Sequence, residues 1–187
     1  SIRNAVQAGV DTIEHCGWMG PDGRLEVLDD VISAMLSQGI TVVPTCTVWY
    51  RAAYDDLTHM SEDRKRMRAV RDERSAAWAE MHRRGVRFAA GPDTGVDDTY
   101  WENFVWELEL MVQKMGLTPM EAIMAATRDA AIALGMDQEI GTIEPGKVAD
   151  LLLVEGDLLA DLGALRLVNS VFRAGRLVVQ NGRLITP

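Results

Sequence analysis

His15 and Asp93 are the two residues whose types and surroundings most suggest chemistry. Each stands where a short β-prone run gives way to a longer polar loop: His15 after Val10-Asp11-Thr12-Ile13-Glu14, and Asp93 after Val86-Arg87-Phe88-Ala89-Ala90-Gly91-Pro92. A neutral imidazole and a carboxylate at one rim suit zinc and other divalent first-row ions. Each also has a plain structural alternative. A lone His at a strand end is commonly a hydrogen-bonded structural residue, and Asp93 before Thr94-Gly95 suits a turn or a helix N-cap. No HxH or HExxH motif supplies further ligands.

Three repeats of one unit must position these residues: a helical stretch, a Gly, and a short β-branched run. The first is Val6 to Ala8, Gly9 and Val10 to His15. In the second, Leu25, Leu28, Val31, Ile32, Met35 and Leu36 recur at helical spacing before Gly39 and Ile40-Thr41-Val42-Val43. In the third, Ser61 is the expected N-cap, and Met67, Val70, Ala77, Trp78 and Met81 form one stripe before Gly85 and Val86 to Ala90. A Gly past the last helical turn supplies the left-handed conformation that turns a helix toward a strand. Repetition of the unit implies parallel strands. Connections leaving the strands (16–24, 46–60 and 92–100) are longer than those entering them, which fits the catalytic face of a (β/α)8 barrel. A doubly wound open sheet has the same asymmetry.

Two helices are expected after Gly91. The second opens with Thr118-Pro119-Met120-Glu121, a capping box with Pro at the first helical position, carries Ile123, Ala130 and Leu134 on its apolar face, and stops at Gly135. From about residue 139 the period changes to two, and Leu177 to Gln180, Asn181-Gly182 and Arg183 to Ile185 form a strong hairpin signal. The expected organisation is a partial barrel over 1–138 and a partial β-sandwich over 139–187. Neither part is complete: three αβ repeats cannot close eight strands, and 49 residues without disulfides make a marginal core.

Composition narrows the function classes. A net charge of −9 argues against a binder of nucleic-acid phosphate backbones. The one basic cluster, Arg64, Lys65, Arg66 and Arg68, is flanked by acids and reads as a solvated helix face. No apolar run is long enough to span a membrane. Two cysteines, Cys16 and Cys46, cannot make a disulfide scaffold; if the first two strands are neighbours, the pair lies at one rim as reduced thiols. With no signal peptide in the sequence, a cytoplasmic location is expected. Trp49, Tyr50 and Tyr54 could wall a pocket. Trp101 and Trp106 read as packing residues, His59 and His82 as solvent-facing, and Met111, Met115, Met120 and Met124 as apolar helix faces.

Several stretches, taken in order, resemble the amidohydrolase superfamily, and within it the imidazolonepropionase-like and prolidase-like enzymes. They are Gly9-Val10-Asp11-Thr12-Ile13-Glu14-His15, Ala90-Gly91-Pro92-Asp93-Thr94-Gly95, Glu107-Leu108-Glu109-Leu110, Gly116 to Ala122 and on to Thr127, and Gly141 to Leu151. The resemblance implies an α/β fold, the C-terminal part of a (β/α)8 TIM barrel (about strands six to eight) followed by part of a small β-sandwich. It implies that His15 is a metal ligand, and that Asp93 is both a metal ligand and the catalytic general base. The implied cofactor is a divalent metal, zinc first, with one or two ions. The implied substrate is a small-molecule amide or dipeptide cleaved at a C–N bond, with no nucleic-acid or membrane partner.

The HxH pair, the lysine and the strand-five histidine of the family have no counterpart here, so the chain reads as a fragment, inactive alone, that self-associates or forms a homo-oligomer. The alternative is a naturally truncated, non-catalytic module that pairs with a partner. Two departures bear on the pocket. Pro92 removes a backbone N–H beside Asp93, and Cys16 follows His15 where Gly is common.

Overall fold

The computed structural model describes residues 2–20, 25–51, 62–96 and 99–185. Its first part repeats helix, Gly and strand three times. Helix α1 (Ile2–Ala8) leads to β1 (Thr12–Glu14), α2 (Asp29–Gln38) to β2 (Thr41–Val43), and α4 (Glu62–Arg83) to β3 (Arg87–Phe88). Gly39 shows how the turn is made: at φ 70° its N–H reaches back to the carbonyls of Leu36 and Met35, closing α2 one residue before the chain extends.

The strands pair in parallel in the order β1-β2-β3, with Ile13 beside Val42 and Val42 beside Phe88. Ile32 and Met35 from α2, Val42 from β2, and Trp78 and Met81 from α4 are fully enclosed. Of the stripe expected on the third helix, Ala77, Trp78 and Met81 pack into the core, and Val70 is half-buried. Its Trp78 indole also donates to the Cys16 carbonyl at 3.2 Å, and the Trp18 indole donates to the Met81 sulfur at 3.0 Å. These bonds pin the chain leaving β1 against α4.

Local elements depart from expectation where tertiary contacts override pattern. Helix α2 starts at Asp29 rather than Leu25, because Leu25 forms an antiparallel bridge with Met19 and Glu26 N–H bonds Trp18 O. The connection after β2 contains a short helix, α3 (Cys46–Arg51). Helix α5 (Phe104–Met115) buries Leu108, Met111 and Met115. The next helix does open on the Thr118–Glu121 capping box, yet it breaks at Thr127 into α6 (Pro119–Ala126) and α7 (Arg128–Ala133). Ala122 and Ala125 of α6 and Asp129 and Ala131 of α7 are buried, whereas Leu134 is 69% exposed.

Trp101 is 84% exposed in a 3₁₀ turn rather than packed, while Trp106 does pack against the core. His82 is half-buried, edge-on to Phe88 and 3.8 Å from Glu121, and so does not face solvent freely. Met111 and Met115 are enclosed, but Met120 is exposed. Lys65 pairs with Glu62 on the surface. Ser61, Tyr54 and His59 lie outside the described residues, as do the side chains of Arg64, Arg66, Met67 and Arg68.

An antiparallel sheet follows in the order β4 (Leu151–Val154), β5 (Val168–Arg173), β6 (Arg176–Gln180) and β7 (Arg183–Leu184). The β6–β7 hairpin turns at Asn181 and Gly182, with φ 51° and 68°, the paired left-handed geometry that Asn-Gly favours. Arg166, in a 3₁₀ turn before β5, forks onto the Glu109 carboxylate of α5 at 2.5 and 2.9 Å and joins this sheet to the helices. No helix among the described residues is long and apolar enough to cross a membrane.

Candidate active site

The C-terminal edge of the parallel sheet gathers unusual backbone. His15 follows β1 directly, Thr45 follows β2 by two residues, and Asp93 lies beyond β3; all three have left-handed backbone, at φ 62°, 54° and 56°. Histidine and aspartate tolerate this region, but a β-branched threonine there is a genuine outlier. Such strain costs about 1–3 kcal/mol per residue and persists where surrounding structure imposes it, often at functional sites. Glycine completes the rim. A Cβ on Gly91, just before Pro92-Asp93, would come within 2.8 Å of Val43 Cγ1, so only glycine lets the chain leaving β3 pass this close to β2.

His15 is held from both sides of its backbone and ring. Its N–H bonds the Val43 carbonyl at 2.8 Å, and its ring Nδ1 lies 2.9 Å from Thr45 Oγ1. Thr45 Oγ1 has one proton and donates it to the Pro44 carbonyl at 2.7 Å, an oxygen that cannot donate in return. With the hydroxyl proton directed to that carbonyl, the Thr45 oxygen accepts from a His15 Nδ1–H. In the neutral ring this leaves a lone pair on Nε2, the arrangement used when imidazole binds a metal. The ring is exposed at the rim. Asp93 is half-buried at the same edge, two strands away.

Thr45 and Glu107 are the residues that sequence reasoning missed. Glu107 is completely buried on α5. One carboxylate oxygen accepts the Cys46 N–H at 2.8 Å; the other accepts the Thr47 N–H at 2.7 Å and the Thr47 hydroxyl at 2.6 Å. Burial pushes its pKa up to about 7, against the lowering effect of these donors. A signal was present in the sequence: Glu107, Met111 and Met115 fall on one helical stripe, so an acid occupies a core position.

The two thiols are free and buried. Burial raises Cys16 to about 12 and Cys46 well above the ordinary thiol value, so both are inert, neutral packing groups. Tyr50 is buried, its hydroxyl 2.8 Å from Ser75 Oγ, and Trp49 lies under the Arg74 guanidinium at 3.6 Å. A cavity of about 340 Å³ lies at the other end of β3, between His82, Arg87, Glu121 and Arg128, away from the rim. Among the described residues, no three His, Cys, Asp or Glu side chains gather as a complete ion site.

Parallel strands with helical crossovers, and polar residues held under strain where those strands end, define an α/β scaffold with its candidate site at the strand ends. The chain belongs to the amidohydrolase family, whose model matches residues 1–178. It is 35% identical over 104 residues to imidazolonepropionase of Shouchella clausii, covering 54% of this chain and 23% of that protein. It is 27% identical over 181 residues to ochratoxinase of Aspergillus niger, covering 94% of this chain and 35% of that enzyme. A solved Xaa-Pro dipeptidase with methionine in its active site superposes with a TM-score of 0.77 at 29% identity, covering 94% of this chain and 41% of the other. The A. niger ochratoxinase structure gives a TM-score of 0.79 at 27% identity, over 97% and 40% of the two chains. The chain thus spans less than half the length of each of these relatives.

Proposed function

We propose that this chain is the C-terminal portion of a metal-dependent amidohydrolase that cleaves an amide-like C–N bond in a small molecule or dipeptide. On this reading β1, β2 and β3 are strands six to eight of a (β/α)8 barrel, within residues 1–138, and residues 139–187 are part of a β-sandwich. The single observation carrying the proposal is the contact of His15 Nδ1 with Thr45 Oγ1, itself 2.7 Å from the Pro44 carbonyl, which leaves Nε2 as the ring nitrogen to bind a ligand at the rim that also holds Asp93. His15 and Asp93 fit a divalent ion, zinc first, by donor chemistry. They supply two of its ligands, and strands outside this chain supply the rest.

A bound divalent ion would polarise the scissile carbonyl and acidify a water. The protein's own part is positional and protonic. His15, with Nδ1–H committed to Thr45, offers only Nε2 outward. Asp93, acting as general base, takes a proton from the attacking water onto a carboxylate oxygen and returns it to the leaving nitrogen. The left-handed backbone at both residues turns their side chains out of the strand alternation. In the enzyme that contains this chain, Asp93→Asn is expected to abolish hydrolysis of dipeptide and lactam substrates while leaving the thermal unfolding transition in place. Turnover like that of the wild type would contradict the assignment.

A further inference from the structure

We infer that Glu107 is a positioning residue for His15, acting through the start of α3 and the Thr45 hydroxyl. The inference rests on the reading of His15 as a metal ligand, but its mechanism is visible in the chain itself. A threonine before the first residue of a helix ordinarily turns its hydroxyl inward to accept an N–H from the first turn. Thr45 occupies that position before α3, which begins at Cys46. Its hydroxyl instead bonds the Pro44 carbonyl and faces His15 Nδ1.

The vacated capping role is filled from α5, some 60 residues further along the chain. Glu107 accepts both the Cys46 and Thr47 N–H groups and adds the Thr47 hydroxyl. These bonds fix the two residues after Thr45, and with them its left-handed backbone. A completely buried carboxylate with no cation among its hydrogen-bond partners in the described residues is a costly group to keep for packing alone. What it secures is a hydroxyl released from capping and turned toward the imidazole. Remove it, and the orphaned α3 amides compete for the Thr45 hydroxyl.

The direct test is nitrogen-15 NMR of the His15 ring in the metal-free chain at pH 8, where Glu107 is ionised. In the wild type, the proton is expected on Nδ1. In Glu107→Gln, the Nδ1–H form is expected to fall below half, toward the mixture of an unrestrained imidazole. Glu109→Gln, on the same helix but bonded to Arg166, is expected to leave it unchanged. An unaltered Nδ1–H population in folded Glu107→Gln would overturn the inference. Should that variant fail to fold, Glu107→Asp, whose shorter side chain draws back from the Cys46 and Thr47 amides, is required to shift the population in the same direction instead. Added Mn²⁺ separates the two proposals. Broadening of His15 at about tenfold higher Mn²⁺ in Glu107→Gln is expected, the scale typical of lost outer-shell partners. No broadening of His15 in the wild type would remove the ligand assignment and leave the ring-positioning result to stand or fall by its tautomer.

Discussion

At the scale of single residues, Glu107 ties the stability of the chain to pH. Its pKa stands at about 7 in the folded chain against an ordinary 4.5, because burial penalises the charged form more than three donors favour it. Between those two values the folded chain holds a proton that the unfolded chain has released. The resulting stabilisation is complete below about pH 4.5 and is lost as pH rises through about 7. At about 1.4 kcal/mol per unit, that difference amounts to roughly 3 kcal/mol. The titratable group facing it, the Cys46 thiol, stays neutral throughout this range. Urea unfolding from pH 4.5 to 8 is expected to show this decline in the wild type and a flatter profile in Glu107→Gln; equal slopes would contradict it. The sequence made the placement of His15 and Asp93 beyond strand ends legible through the β-prone runs and loop lengths. It left Thr45 obscure, because the hydroxyl matters only once β1 and β2 lie side by side, a relation spanning 30 residues.

At the scale of elements, local signals were readable where their chemistry is local. The Thr118 hydroxyl accepts the Glu121 N–H, and Glu121 reaches back to the Thr118 N–H at 2.7 Å, as the four residues alone foretell. Thr118→Ala is expected to destabilise the chain by about 1 kcal/mol, read as a lower urea midpoint with unchanged slope. A change below a few tenths would mean that packing of Ala122 and Ala125, not the cap, sets where α6 begins. The Asn181-Gly182 hairpin was legible for the same reason. Helix α3 was not, since its first amides are satisfied by a carboxylate some 60 residues away. The break at Thr127 was equally hidden: periodicity runs through it, but the Thr127 backbone leaves the helical region at φ −127° and ψ −86°.

At the scale of the molecule, the parallel order β1-β2-β3 is what sets His15 and Asp93 on one edge of a single sheet. Alternation of helix and strand was enough to expect it, because a helical crossover returns the chain to start a parallel neighbour, and parallel strands share one C-terminal edge. Barrel and open sheet share that feature, so the sequence pattern alone left both standing, and the barrel belongs to the proposed reading. The central claim is that this edge brings one imidazole and one carboxylate to a common ion. Paramagnetic broadening by Mn²⁺ detects even weak binding and measures this directly. As Mn²⁺ is added at sub-stoichiometric levels, the His15 ring and the Asp93 backbone signals are expected to broaden together, ahead of other residues, and His15→Ala is expected to relieve the broadening at Asp93. Broadening centred elsewhere, or at one of the pair without the other, would contradict the account.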